Sequence, residues 1–280
     1  MFSTARVGIV TDSTADIPSE LLESLQIEMI PALLMIDGET YEDGSELSRA
    51  DFYKGLPEYR RPPTTATPSS ASFEAAYRRF FELGIEHVLS IHVASTLSGI
   101  FMVANQAAQA FPGKVDVIDS GQLSLGLGYQ VIEAAQAALQ GHRLEEVVHI
   151  TESARQRVRV AALINSLEYL RRSGRVSWLR AGVGDFLRIK QLLSVNQGAI
   201  HAIGKARTFG SALDALLQIG RSWGPCDRMS VLHTGIHEMA AQVAKRIQNQ
   251  SATPPRIVEV TTVIGAHVGP GSIGLAGLIT

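Results

Sequence analysis

The sequence predicts an α/β protein with two domains, an N-terminal parallel-sheet α/β domain at residues 1–155 and a C-terminal mixed α/β domain at residues 156–280. Three observations support this. The N-terminal half alternates short β-branched runs with helical patterns, which is typical of α/β folds. The length of 280 residues is near the size at which a single core divides into two. The pattern becomes more mixed after about residue 155.

Four short apolar runs in the first half predict strands. They are VGIVTD, EMIPALLMI, HVLSIHV and VDVID. A helix is predicted from about Ser70 to a stop at Gly84, and two more helices follow the third and fourth runs. The apolar residues of the first helix share one face, which predicts core rather than a ligand site; they are Phe73, Ala76, Tyr77, Phe80 and Phe81.

The second half begins with a predicted antiparallel hairpin. Its turn is centred on Asn196, Gln197 and Gly198, which lie between two apolar segments. Helices are predicted near 208–221 and 236–248, and strands near 228–234 and 256–264.

The composition argues against several classes of protein. A hydrophobic fraction of 45% with 25 basic and 27 acidic residues provides no positive field for nucleic acid or anionic membrane. The single cysteine, Cys226, allows no internal disulfide and is consistent with a reducing compartment. The first residues contain no apolar run long enough for a signal peptide, and no run suggests a membrane span. We therefore expect a cytoplasmic protein.

The stretch GAHVGPGSIG at residues 265–274 has the glycine spacing of a dinucleotide fingerprint. A fingerprint needs a following helix and an acidic residue about 20 positions later, and six residues leave no room for either. The motif therefore predicts a rigid loop that carries His267. The pair His233 and His237 lacks the further ligands of a zinc site, so no metal site is expected. No phosphate-binding loop or nucleophile elbow occurs either.

Hydroxyl-rich turns follow three predicted strands, at Asp12, at Ser95 to Gly99 and at Asp119. The carboxyl ends of parallel strands share one edge, where ligands usually bind. Ser95, Thr96 and Ser98 precede a helix, so they either cap it or help to bind an anion at its N-terminus.

Prolines limit the conformations of a fourth cluster, PPTTATPSS at residues 62–70. It either presents Thr64 or Thr65 in a fixed direction or is an ordinary surface loop before a helix.

Taken together, the motifs resemble the DegV family of bacterial fatty-acid-binding proteins. They are DST near the start, the TT-x-x-PS loop, the S-x-L-SG turn, the DS pair, RSGR and H-x-GPG, in this order over nearly the whole chain. The resemblance implies an N-terminal domain with a parallel sheet, a second α/β domain and a fatty acid held between them. It also implies a lipid-carrying subunit without turnover of its own, whose bound acid a separate ATP-binding kinase subunit converts to an acyl phosphate for phospholipid metabolism.

Specific residues acquire expected roles from this resemblance. The carboxylate contacts fall on Thr65, Ser95 and His267, and the neighbouring ligand-site positions are Thr64, Ser98 and Gly99. Docking of the kinase subunit is placed on basic residues of the second half, namely Arg171, Arg172, Arg175 and Arg207. No cofactor besides the bound fatty acid is expected.

Two other functions are compatible with the same residues. A self-sufficient phosphotransferase or hydrolase would use Asp12 and Asp119 as metal ligands, whereas in the simpler interpretation these carboxylates stabilise turns. A binder of another small anion in the same cleft is the third possibility.

Overall fold

The computed structural model describes residues 6–174 and 189–280. They form two compact units. The N-terminal unit comprises the described residues of Met1–Ala32 and Thr67–Gln156, and the C-terminal unit comprises those of Leu33–Ala66 and Arg157–Thr280. The chain passes from one unit to the other between Gln156 and Arg157, and Leu33–Ala66 groups with the C-terminal residues. The predicted division lacks this segment, because composition does not show that the chain leaves the N-terminal unit at residue 33 and returns to it at residue 67.

The strands are β1 Val7–Asp12, β2 Ile27–Ile30, β3 Leu33–Ile36, β4 Glu39–Glu42, β5 Thr64–Ala66, β6 His87–His92, β7 Val115–Asp119, β8 Val158–Ile164, β9 Lys190–Asn196, β10 Ala199–Ala206, β11 Cys226–His233, β12 Arg256–Glu259 and β13 Ile273–Ile279. The α-helices are α1 Ser19–Ser24, α2 Arg49–Gly55, α3 Ser70–Glu82, α4 Ile100–Ala108, α5 Leu125–Leu139, α6 Leu144–Arg157, α7 Glu168–Arg172, α8 Phe209–Ser222, α9 His237–Ile247 and α10 Thr262–Val268.

The N-terminal unit is built on a parallel sheet with strand order β2-β1-β6-β7, as the alternating pattern predicts. Helix α5 contacts β1 and β6, while α3 and α4 contact each other. The predicted stripe of α3 is correct for Phe73, Ala76, Tyr77 and Phe80, which are buried, whereas Phe81 is half-buried. The carboxyl ends of β1, β6 and β7 therefore lie along one edge, which positions the hydroxyl-rich turns.

The predicted strand EMIPALLMI is two strands in two different sheets. β2 ends at Ile30 and joins the parallel sheet, and β3 begins at Leu33 in a three-stranded antiparallel sheet of order β4-β3-β5. Pro31 lies between the strands and has no backbone N–H with which to continue a ladder. The break transfers the chain from the N-terminal to the C-terminal unit.

The C-terminal unit contains a mixed sheet of order β10-β9-β8-β13-β11-β12, in which only β11 and β12 run parallel. The predicted hairpin is correct: β9 and β10 flank a two-residue turn at Gln197 and Gly198. Both turn residues have positive φ, at 47° and 74°, as this tight hairpin turn requires.

Two errors of prediction concern the end of the chain. The predicted strand 256–264 stops at Glu259, because the Thr261 side chain accepts a hydrogen bond from the N–H of Ile264 and starts α10. His267 therefore lies in the last turn of a helix rather than in a loop. The closing glycine-rich residues form β13, which is paired on both sides by β8 and β11.

Over the described ranges, no helix is both long and apolar enough to cross a membrane.

Candidate functional site

Two of the three expected carboxylate contacts lie side by side in the C-terminal unit. The hydroxyl oxygen of Thr65 is 3.1 Å from Nε2 of His267. Thr65 stands on β5 opposite Leu34 of β3, and His267 stands in the last turn of α10. The His267 side chain is nearly enclosed, with 7% exposure, while Thr65 is half-buried. The hydroxyl both donates and accepts, and the imidazole roles depend on its tautomer, so this pair is suited to bind a carboxylate.

Thr64 is not part of this pair. Successive side chains of a strand point to opposite faces, so Thr64 and Thr65 on β5 face different ways. Thr64 is exposed, whereas Thr65 contacts His267.

The glycines around His267 accommodate neighbouring side chains rather than a nucleotide. A Cβ at Gly269 would lie 2.2 Å from the Tyr169 ring, and one at Gly271 would lie 2.7 Å from the Asn165 side-chain nitrogen. Both glycines also have positive φ, at 74° and 77°. These positions therefore allow close packing around the end of α10.

The third expected contact, Ser95, belongs to the N-terminal unit. Its side chain is exposed, and its backbone N–H donates to Oδ2 of Asp119 at 3.2 Å. Ser95 lies five residues before α4 and does not cap it. The Ser98 hydroxyl accepts instead from the N–H of Ile100, at 3.3 Å, and Gly99 is the N-cap residue. The predicted anion-binding turn thus has an exposed Ser95 hydroxyl, but the N–H of Ser95 is already paired.

Asp12 is fully buried at the end of β1, and its carboxylate is occupied by protein donors. Oδ1 accepts from the N–H of Thr14 at 3.0 Å and from the hydroxyl of Thr14. Oδ2 accepts from the N–H of Val93 at 3.1 Å and lies 3.0 Å from Nδ1 of His92.

The network continues beyond His92. Its Nε2 lies 2.6 Å from the Ser90 hydroxyl, which lies 2.9 Å from the Tyr77 hydroxyl. Burial raises the pKa of Tyr77 to about 12. These contacts join β1, β6 and α3 inside the unit.

Asp119 is also engaged, since its second oxygen accepts from the N–H of Gly121 at 2.8 Å. The contacts of both aspartates favour turn stabilisation over metal binding. Residues 6–174 and 189–280 contain no group of three or more His, Cys, Asp or Glu side chains arranged to hold a metal ion.

The two histidines considered as zinc ligands are neighbours but not a metal site. The rings of His233 and His237 lie 5.4 Å apart, and Nδ1 of His233 is 3.8 Å from Oε1 of Glu259. Burial, followed by repulsion from His237 and Arg49, lowers the pKa of His233 to about 4. His233 is therefore a neutral, buried imidazole at neutral pH.

The basic residues expected to dock a partner differ in availability. Arg171 and Arg172 both pair with Glu168, each at 2.7 Å, and these contacts lower the pKa of Glu168 to about 2. Arg207 is exposed just before α8. Arg175 lies outside the described residues.

Cys226 is buried, and burial raises the pKa of its thiol. The raised pKa favours the protonated thiol, which is the less reactive form.

Sequence analysis missed the residues that hold α10 in place. Tyr53 donates its hydroxyl hydrogen to the carbonyl oxygens of Val260 and Thr261, at 2.8 and 3.2 Å. Asp43 accepts from the N–H and the hydroxyl of Thr262, at 3.2 and 2.8 Å. These partners lie more than 200 positions apart in the chain, so no local pattern indicates them.

Known proteins resemble this chain over nearly its whole length. A family model described as "Uncharacterised protein, DegV family" matches residues 6–279. A DegV domain-containing protein of Streptomyces coelicolor is 33% identical over 273 residues, which cover 96% of this chain and 97% of the relative. A DegV domain-containing protein of Deinococcus radiodurans is 33% identical over 274 residues, with the same coverage.

Solved structures agree in fold. A fatty-acid-binding DegV family protein from Thermus thermophilus has a TM-score of 0.89 and 31% identity, over 98% of this chain and 100% of its own. DegV from Bacillus subtilis, a fatty acid binding protein, has a TM-score of 0.88 and 29% identity, over 98% and 99%.

Proposed function

Because this chain belongs to the DegV family, we propose that it binds a long-chain fatty acid, shields the acyl chain and presents the carboxylate to a separate kinase subunit. The structural relatives from Thermus thermophilus and Bacillus subtilis bind fatty acids. The observation that carries the proposal for this chain is the contact between the Thr65 hydroxyl and the buried His267 imidazole.

The pair suits a carboxylate for a chemical reason. A carboxylate accepts hydrogen bonds only, and the Thr65 hydroxyl and the His267 imidazole can each donate one. In a nearly enclosed site these bonds are less screened by water than at the surface. An imidazole can also change its charge near neutral pH, which suits a head group that changes from carboxylate to acyl phosphate. From the resemblance we also propose the exposed Ser95 hydroxyl as a contact of the carboxylate.

A carrier role follows from the energetics of the ligand. Each buried methylene contributes about 0.8 kcal/mol, so about 15 of them contribute on the order of 12 kcal/mol before the costs of association. A protein that buries such a chain can carry a ligand that is poorly soluble in water.

In this proposal the kinase subunit binds ATP and transfers the phosphoryl group to the fatty acid. The present chain catalyses no reaction alone. Arg207 is the basic residue best placed to attract an acidic partner, because Arg171 and Arg172 already pair with Glu168. The use of ATP and the expected product, an acyl phosphate, suggest a cytoplasmic role in phospholipid metabolism.

Native mass spectrometry of the purified protein, followed by solvent extraction, tests the binding proposal first. We expect one fatty acid per chain. A protein that is empty and also fails to take up added palmitate or oleate would contradict the proposal.

The kinase step needs a separate experiment. The fatty-acid-loaded protein is incubated with ATP and the ATP-binding subunit, and acyl phosphate is trapped with hydroxylamine. We expect acyl hydroxamate only when both proteins are present. Metal-dependent consumption of ATP by this chain alone would instead support the self-sufficient enzyme.

A further inference from the structure

The helix that carries His267 is too short to fix its own position. α10 has seven residues, and isolated helices of fewer than about 12 residues are marginal in water. The direction of the His267 side chain must therefore be set by contacts that hold α10 from outside.

Residues of Leu33–Ala66 supply these contacts where β12 joins α10. Arg49 donates to the carbonyl oxygen of Glu259. Tyr53 donates to the carbonyl oxygens of Val260 and Thr261, and Asp43 accepts from Thr262. The contacts thus fall on four consecutive residues immediately before and at the start of α10. We define the junction as residues 259–262.

The same segment carries Thr65. β5, which contains Thr65, pairs with β3, and Leu34 of β3 packs in one apolar cluster with Tyr53 and with Ala266 of α10. The segment therefore positions both members of the Thr65–His267 pair. It holds Thr65 through the pairing of β5 with β3, and it holds His267 through the contacts at the junction.

Tyr53 bonds to the two middle residues of the junction, Val260 and Thr261. It is 4% exposed, and a Cβ at Gly265 would lie 2.4 Å from its hydroxyl oxygen. The hydroxyl therefore lies against the backbone of α10 itself, two residues before His267. A loss of the hydroxyl leaves two backbone carbonyls without this donor and allows the helix to shift.

We propose that Tyr53 is a positioning residue that sets the geometry of Thr65 and His267 for the carboxylate without contacting the ligand. This inference rests on the proposed fatty-acid binding and extends it to the residue that controls head-group recognition. A shift of α10 should weaken the bonds to the carboxylate and leave acyl-chain burial unchanged.

Binding of a fatty acid and of the fatty alcohol of equal chain length tests the proposal by isothermal titration calorimetry. Tyr53→Phe keeps the ring and removes the hydroxyl. We expect about fivefold weaker binding of the acid and a change of less than about twofold for the alcohol. The matched control is Tyr59→Phe, which removes a hydroxyl beside the same cluster and should leave both affinities unchanged.

Coupling to His267 separates positioning from general stabilisation. In a His267→Ala background, Tyr53→Phe should cause no further loss of preference for the acid. Thr262→Val, which removes the hydroxyl bonded to Asp43, provides a second variant and should repeat the acid-specific loss.

An equal loss for acid and alcohol, no loss at all, or additive effects in the His267→Ala background would each overturn the role of Tyr53. A wild-type protein that does not prefer the acid over the alcohol would instead contradict the proposed carboxylate site.

Discussion

The Thr65 hydroxyl and Nε2 of His267 lie 3.1 Å apart, although 202 positions separate these residues in the chain. The three-residue strand β5 carries one of them and the seven-residue helix α10 carries the other. Neither element is stable alone, so the site depends on the tertiary contacts of the C-terminal unit.

The first prediction concerns this pair. Thr65→Ala and His267→Gln should each weaken fatty-acid binding by about tenfold to a hundredfold, which is typical for loss of a hydrogen bond to a charged group. The double variant should lose less than the sum of both free-energy changes, because the two side chains are in contact. Titration calorimetry measures the affinities. Thr40→Ala, an exposed threonine of the same small sheet, is the control. Unchanged affinity in both single variants would contradict the assignment.

The second prediction concerns Gly269. Its φ of 74° and ψ of 174° form a region that only glycine readily adopts, and a Cβ there would meet the Tyr169 ring at 2.2 Å. Gly269→Ala should therefore lower the free energy of unfolding by about 3 kcal/mol or more. Gly113→Ala is the control, since its φ is 70° but nothing lies within 4 Å of the added carbon. It should cost only about 1 kcal/mol. Equal losses in urea unfolding would show that the contact with Tyr169 is unimportant.

The third prediction concerns the pH dependence of stability. The pKa of His233 is lowered from 6.5 to about 4 by burial, His237 and Arg49, although its Nδ1 lies 3.8 Å from Oε1 of Glu259. The unfolded chain therefore binds a proton more readily than the folded chain. Neutral His233 therefore contributes on the order of 3 kcal/mol to the free energy of unfolding above about pH 6.5. This contribution is lost as the pH falls towards 4.

Urea unfolding at pH 7 and 4.5 checks this prediction. His233→Gln should lose less stability between these two values than the wild type. His149→Gln, at an exposed position, should behave like the wild type. The same loss in His233→Gln as in the wild type would assign the acid sensitivity to other groups.

The fourth prediction concerns Asp12. Its buried carboxylate holds Thr14, His92 and Val93 together, so Asp12→Ala should lower the free energy of unfolding by about 3 kcal/mol or more. Asp116→Ala, at an exposed position on β7, should have little effect. Thermal unfolding with and without Mg²⁺ distinguishes the two roles considered for Asp12. An increase in wild-type Tm with Mg²⁺ that disappears in Asp12→Ala would support the metal-ligand role.

Local patterns predicted most regular elements correctly, because their signals lie within a few neighbouring residues. The stripe of α3 follows from the helical period, and the turn at Gln197 and Gly198 follows from the positive φ that glycine tolerates. The sequence pattern failed where one apolar run divides between two sheets at Pro31. It also failed at residues 262–264, where a predicted strand is the start of α10.

Local patterns also predicted only part of the candidate site. Resemblance of motifs selected Thr65 and His267, and the structure brings them together. Thr64 was selected with them, but the alternation of β5 turns it to the other face. Tyr53 was not selected, because no local pattern marks a tyrosine whose hydroxyl bonds to carbonyls 207 and 208 positions away.

The sequence by itself determined the alternation of strands and helices, the tight hairpin and the absence of a phosphate-binding loop and of a nucleophile elbow. Each of these depends on side-chain period, backbone preference or spacing within a short stretch. Only the tertiary structure decided that Leu33–Ala66 joins the C-terminal unit, that His267 ends a helix and that Tyr53 holds this helix. These features depend on contacts between distant residues, which form because together they bury apolar surface and satisfy backbone groups that no single segment could satisfy alone.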